Sequence, residues 1–291
     1  MKVAYYPGCS LEVTARAYDL STHQVCQDLD VELEAVPEWI CCGASPALKM
    51  SRLLSVSLSA QNLALVTKQG IQDVVAPCPF CFRRLRSAQS DIENDSTLRA
   101  QVERVIETHV EANLHIYSLL EYVHAHVGLE AIRSRVAKPL TGLKAVPYYG
   151  CYLVRPPKTV QFDDPEHPTS LDTVLESLGA TVVDWDFKAE CCGAALSLNK
   201  TDTVTRLSGQ LIREAERLAA DVIVVACPLC QANLDLRQPD VSALDGQEHH
   251  MPILYFTQAM GISFGHSPRS LGLHGHMIDP LPLLKEKGIV Q

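Results

Sequence analysis

The sequence has no apolar run of the ~18–20 residues needed to cross a bilayer. Met1-Lys2-Val3-Ala4-Tyr5-Tyr6 lacks the long apolar region and small-residue cleavage site of a signal peptide. A cytoplasmic chain without a membrane span is therefore expected. Positive charge is also short: the net charge is −9. That excludes nucleic acid as the main partner, because phosphate neutralisation needs clustered cations. There is no GxGxxG fingerprint for a flavin or nucleotide, and no CxxCxxCxxxCP run of ferredoxin type. The chain is not short of apolar residues, at 47% of 291. That length and composition predict two compact domains of roughly 100–150 residues each.

Cysteine is plentiful and ordered. Ten of the eleven cysteines fall into two sets: Cys9, Cys41-Cys42 and Cys78-Pro79-Phe80-Cys81, then Cys151, Cys191-Cys192 and Cys227-Pro228-Leu229-Cys230. The gap from Cys42 to Cys78 is 35 residues and that from Cys192 to Cys227 is 34. The leftover Cys26 lies in a helical pattern and reads as a small buried apolar residue. In a reducing compartment such a count points to metal ligation or redox work rather than structural disulfides.

The surrounding pattern repeats too. Val3–Tyr6, Val31–Val36 and Ile71–Ala76 read as strands, separated by helical stretches over Leu11–Leu29 and from Pro46 to near Gly70. Residues 83–138 read as helical, with Pro139-Leu140-Thr141-Gly142 as a boundary. The second half repeats the order, with a helix over Leu171–Leu178, strands at Thr181–Val183 and Val222–Ala226, and a long helix from Thr201 to Ala219. Ile116-Tyr117-Ser118-Leu119 resembles Leu254-Tyr255-Phe256-Thr257. The expectation is an α/β chain of two pseudo-symmetric cysteine-rich domains, residues 1–140 and 141–291, with short, mostly parallel sheets and flanking helices. In such sheets ligands gather at the C-terminal ends of strands, where the cysteines fall.

A CxxC that turns into a helix directs two sulfurs to one side, and the helix N-terminus favours thiolate. Adjacent side chains of an extended segment point apart, so Cys41-Cys42 and Cys191-Cys192 need bent backbone, which Gly43 and Gly193 permit. Five thiolates per half exceed the four of a closed zinc site and of an ordinary four-iron cubane. A zinc site, in one half or both, leaves one thiol idle or catalytic. Disulfide exchange at the CPxC pairs leaves the six other cysteines of the sets unexplained. Spacing does not choose between an extra thiol and a cluster with bridging thiolates.

The duplicated pattern Cys…Cys-Cys-Gly…Cys-Pro-Xaa-Cys resembles the cysteine-rich "CCG" domain. The chain as a whole resembles the B-type subunit of heterodisulfide reductase, from Tyr5-Tyr6-Pro7-Gly8-Cys9-Ser10-Leu11-Glu12 through Cys227-Pro228-Leu229-Cys230. The resemblance implies two noncubane [4Fe-4S] clusters. One would be held by Cys9, Cys41, Cys42, Cys78 and Cys81, the other by Cys151, Cys191, Cys192, Cys227 and Cys230. It also implies reductive cleavage of a disulfide lying between them, or thiol oxidation in reverse. Electrons would come from a ferredoxin-like iron–sulfur subunit of the C type and a flavin subunit of the A type. Tyr152 stands where the family often has histidine, which implies altered proton delivery or a different substrate. Rival readings are an electron-relay subunit of lactate or glycolate oxidation systems and a sulfur-oxidation subunit acting on a carrier-bound thiol or persulfide.

Arg155 and Lys200, near the cysteine motifs, are candidates to bind an anionic substrate group. His249, His250, His266, His274 and His276 show no ligand spacing and read as a solvated loop and tail. His124 and His126 read as surface, and the acidic residues Asp163, Asp164 and Glu166 as a solvated loop.

Overall fold

The computed structural model describes residues 1–111 and 113–291. Two four-stranded parallel sheets form the framework. The first comprises β1 (Lys2–Tyr5), β2 (Glu32–Ala35), β3 (Asp73–Ala76) and β4 (His115–Ser118), in the order β2-β1-β3-β4. The second comprises β5 (Lys144–Tyr148), β6 (Thr181–Val182), β7 (Val222–Val225) and β8 (Ile253–Tyr255), in the order β6-β5-β7-β8. The α/β repeat expected from the sequence is present, with each strand of one sheet matched in the other. Central strands of a parallel sheet covered on both faces should be continuous apolar runs. The Val-Ile-Val-Val of β7 is wholly buried, whereas the edge strand β2 is only half-buried.

Some local expectations are corrected. The helix anticipated over Leu11–Leu29 is two helices, Gly8–Glu12 and Arg16–Asp28, because Gly8 at φ +67° starts a helix directly after the strand. The helix anticipated from Pro46 is interrupted at Ser51. That residue is extended, and its side chain accepts the Leu54 N–H to cap Arg52–Gln69. Ile116–Ser118 lies within the stretch expected to be helical, yet β4 pairs with β3 from Asp73↔His115 to Ala76↔Ser118. A helix then starts at Leu119, where Ser118 and Glu121 form a reciprocal capping box.

The two halves share a buried seam. Tyr18 is fully buried, stacks on Tyr255 at 4.3 Å with rings parallel to 1°, and donates to the Ala226 carbonyl at 3.3 Å. Nearby, the Ser21 and Thr257 hydroxyls lie 2.7 Å apart. At the rim, His266 meets Asp28 at 2.6 Å, so the tail is tied to the first half. His249, expected in solvent, is buried between Glu216 at 2.9 Å and Asp245 at 3.0 Å. His276 is enclosed by Gln231 and Gln258 at 3.1 and 2.9 Å. Both histidines are placed by tertiary contacts that sequence spacing does not reveal. His250 and His126 are exposed.

Truncating a buried ring costs roughly 3–5 kcal/mol, and removing one hydrogen bond about 1 kcal/mol. Tyr18→Ala is therefore expected to destabilise the chain several times more than Tyr18→Phe in urea melts. Equal effects would show that the stack contributes little to joining the halves.

Candidate functional site

All strands of a parallel sheet end on the same edge, and the five cysteines of each set lie just beyond that edge of their own sheet. Cys9 follows β1 on the first turn of Gly8–Glu12, Cys41-Cys42 lie in the loop after β2, and Cys78 caps the helix Pro79–Asn94 that follows β3. Cys151 opens the helix Cys151–Val154 after β5. Cys191-Cys192 follow β6, and Cys227 caps Pro228–Leu236 after β7. Pro79 and Pro228 take the first helical position, where a missing N–H costs nothing.

Within each set the buried sulfurs converge. Cys42 Sγ lies 3.4 Å from Cys81 Sγ, and Cys192 Sγ 3.5 Å from Cys230 Sγ. The loops bend as the vicinal pairs require: Gly43 and Gly193 take φ +77° and +84°, and their N–H groups donate back to Cys41 Sγ at 3.4 Å and Cys191 Sγ at 3.3 Å. Cys9, Cys41 and Cys191 are exposed, Cys151 is half-buried, and the other six are buried; all are free thiols. Hydrogen bonds from Cys41 and then Cys81 hold Cys42 down to about 3, while the same contacts raise Cys41 and Cys81. In the second half a hydrogen bond from Cys151 lowers Cys191 to about 6, and one from Cys230 lowers Cys192. Thiolate character, the form that binds metal, thus falls on Cys42 in the first set and on Cys191 and Cys192 in the second.

Packing fixes the first cysteine of each set. A Cβ on Gly8 would stand 2.8 Å from Cys81 Sγ, and one on Gly150 2.9 Å from Cys230 Sγ. Three residues before that cysteine, Tyr6 donates to the Ile40 carbonyl and Tyr148 to the Glu190 carbonyl, both at 2.7 Å. These bonds tie the strand end to the residue preceding each vicinal pair. A buried phenol–carboxylate pair braces each sheet, with Tyr5 on Asp19 at 2.8 Å and Tyr149 on Asp172 at 2.6 Å. Lys188 completes the second pair. Its ammonium bonds Asp172, and its carbonyl accepts the N–H groups of Tyr149 and Gly150.

The sets approach each other through their aromatic neighbours. Phe80, between Cys78 and Cys81, meets Tyr152, next to Cys151, edge to face at 4.2 Å. Pro79, Phe80 and Tyr152 join all five cysteines of the second set around a cavity of about 70 Å³. On the other side of Phe80 and Tyr152, a cavity of about 50 Å³ is lined by Ala44, Leu48, Arg83 and Arg84.

Neither cation proposed from sequence lines these two cavities. Arg155 donates to the Pro165 carbonyl at 2.9 Å and pairs with Glu166 at 2.7 Å, so its guanidinium closes its own loop. Glu166 is thereby an ion-pair partner rather than only a solvated side chain. Asp163 and Asp164 accept backbone N–H groups of residues 164–170 and shape the loop. Lys200 is exposed just before the helix Thr201–Arg217. Sequence reasoning missed Arg83 and Arg84. Their signal was two consecutive cations in the first turns of a helix, where the dipole disfavours positive charge.

This is a duplicated, parallel α/β protein with a cysteine-rich edge in each half. The cysteine-rich domain family (CCG) matches residues 3–86 and 145–235, more than half of the chain, and the chain belongs to that family. It is 29% identical, over 96% of its length and 98% of the relative's, to the 8-methylmenaquinol:fumarate reductase membrane anchor subunit of Wolinella succinogenes. It is 27% identical over 97% of its length, and 96% of the relative's, to the B-type subunit of the ferredoxin/F(420)H(2)-dependent CoB-CoM heterodisulfide reductase of Methanosarcina acetivorans. A protein of Archaeoglobus profundus, described as like the B-type subunit of heterodisulfide reductase, is 24% identical over 93% of both chains. The fold matches a hypothetical protein from Helicobacter pylori with a TM-score of 0.76 at 13% identity, covering 96% of this chain and 52% of that one. Among the described residues no helix is long and apolar enough to cross a membrane.

Alanine at a left-handed position costs roughly 1–2 kcal/mol by itself. Gly246, at φ +69° with nothing within 4 Å of an added Cβ, isolates that backbone cost. Gly8→Ala and Gly150→Ala should each destabilise more than Gly246→Ala in chemical melts and increase thiol labelling of Cys81 or Cys230. Equal costs at all three positions would show that the close approach to sulfur is not what demands glycine.

Proposed function

We propose that the chain is the iron–sulfur subunit of a heterodisulfide reductase-like complex, acting on a disulfide between two noncubane [4Fe-4S] clusters. Cys9, Cys41, Cys42, Cys78 and Cys81 would hold one cluster, and Cys151, Cys191, Cys192, Cys227 and Cys230 the other. The residues fit such a group: the donor set is all thiol, and glycine leaves no Cβ between Cys9 or Cys151 and the deep sulfur of its set. Five thiols in each set are one more than a closed zinc site takes, which favours a polynuclear group over zinc. Bound clusters would supply single electrons on either side of the substrate.

The observation that carries this reading is the Phe80–Tyr152 contact, which brings the CxxC loop of one half against the cysteine cavity of the other. Reducing a disulfide consumes two electrons and two protons and yields two thiols, so a site between two one-electron centres suits it. The chain's own groups would position the substrate and exclude water: Phe80, Pro79 and Tyr152 make the wall apolar, and the Tyr152 hydroxyl is a polar group at the gap. Electrons would come from a ferredoxin-like iron–sulfur subunit and a flavin subunit, and the complex would be cytoplasmic. The same site run in reverse would oxidise thiols, including a carrier-bound thiol or persulfide.

A second reading, an electron-relay subunit, is favoured by the similarity to a subunit of a menaquinol:fumarate reductase. Anaerobic purification followed by iron and acid-labile sulfide analysis tests the cofactor, with about eight irons per chain expected for two four-iron clusters. Cys41→Ser or Cys191→Ser should lower that content, each in its own half. Electron paramagnetic resonance during thiol titration then separates the readings: a thiol-dependent signal supports disulfide chemistry, and signals responding only to reductant support the relay. Zinc without sulfide would refute both.

A further inference from the structure

The two cysteine sets are alike in spacing, but the charges beside their vicinal pairs differ. Counting from the last cysteine of each CxxC, Arg84 corresponds to Asn233; counting back from each vicinal pair, Ile40 corresponds to Glu190. Asn233 holds the deep cysteine of its pair by neutral contacts. Its amide donates to the Cys192 carbonyl at 3.1 Å and reaches Cys192 Sγ at 3.8 Å, while its oxygen accepts the Ser197 hydroxyl at 2.8 Å. Arg84 puts a half-buried cation at the same helical position, anchored on the buried Ser55 hydroxyl. It acts on Cys42, whose thiolate is favoured first by hydrogen bonds from Cys41 and Cys81 and then further by that charge. Asp91 on the same helix also acts on Arg84, but Arg52 holds Asp91 at 2.7 Å. At the second pair the sign is reversed. The Cys151 hydrogen bond favours the Cys191 thiolate, and burial and then the carboxylate of the exposed Glu190 oppose it. Lys188, three residues before Cys191, is taken by Asp172 and Asp184 at 2.6 and 2.8 Å.

We propose that Arg84 and Glu190 split the reduction potentials of the two sets, making the first-half cluster the easier one to reduce. The inference rests on the cluster reading given above and holds whether the chain acts on a disulfide or relays electrons. Reduction adds one electron to the iron of a set, supplied by the iron–sulfur partner, with no bond made or broken. A cation beside the thiolates stabilises that added charge and raises the potential, whereas a carboxylate lowers it. Arg84 is the stronger of the two, because a half-buried charge is screened less than an exposed one. A single electron entering the chain therefore comes to rest in the first half, and the chain has an electrical direction from Cys191 toward Cys42. Arg84 and Glu190 are positioning residues: each acts through its cysteine rather than on a substrate.

The test is a redox titration of the anaerobically purified protein with dithionite, followed by electron paramagnetic resonance. Cys191→Ser assigns the signals by removing that of the second half. In the wild type the first-half signal should titrate at the higher potential. Arg84→Gln should lower the first-half potential by about 59 mV, a roughly tenfold change in a one-electron equilibrium, and leave the second where it was. Arg84→Lys should keep most of the splitting. Glu190→Gln should raise the second-half potential by less, about twofold in the equilibrium, and that shift should shrink in high salt because Glu190 is exposed. Equal potentials in the wild type, a higher potential in the second half, or a splitting that survives Arg84→Gln combined with Glu190→Gln overturns the proposal. So does a loss of splitting as complete in Arg84→Lys as in Arg84→Gln, because packing rather than charge would then set it. Iron and labile sulfide measured on the same samples keep the two readings apart. Without them the cluster reading falls and this inference with it, whereas full content with unmoved potentials sinks only this inference.

Discussion

The arrangement depends on parallel strand pairing. In β2-β1-β3 and β6-β5-β7 every strand runs the same way, so the chain delivers each cysteine segment to one edge of its sheet. Buried hydrogen bonds then fix where the segments lie. Tyr6 and Tyr148 fasten the strand ends to the residues before the vicinal pairs. Gly8 and Gly150 let the backbone come close against the deep sulfurs. A side chain at either glycine would push apart the thiols that the sheet brings together.

The second constraint joins the halves. The Tyr18–Tyr255 stack and the Ser21–Thr257 pair are buried and span the repeat. Both rings belong to one hydrophobic core that runs through the two halves. Aromatic rings buried at such a seam set the relative position of two rigid sheets, because an interior packed to crystal-like density does not deform gradually. The closeness of Phe80 to Tyr152 follows from that seam, since both rings sit beside cysteines anchored to the two sheets.

Duplication supplied two similar frames, and divergence made them unequal. The buried tyrosine that pairs with a carboxylate is four residues before Cys9 in one half and two residues before Cys151 in the other. Similar bracing is thus reached from different positions. The helix after each CxxC carries arginines in the first half and an amide in the second.

The sequence alone determined the repeat, the parallel α/β class and the ten-cysteine pattern, because these depend on spacing and apolar periodicity local to the chain. It also anticipated that Cys26 is buried, and it is. It misread Ile116–Ser118, whose strand state comes from pairing with β3 more than forty residues away in the chain. It placed His249 in solvent because nothing nearby in sequence announces Glu216. It looked for substrate cations beside cysteine motifs at Arg155 and Lys200, yet Arg155 is consumed by Glu166. Only the tertiary structure decided which cations find a carboxylate and which rings separate the two sets. Those properties belong to pairs of residues brought together by folding, and no one-dimensional pattern records them.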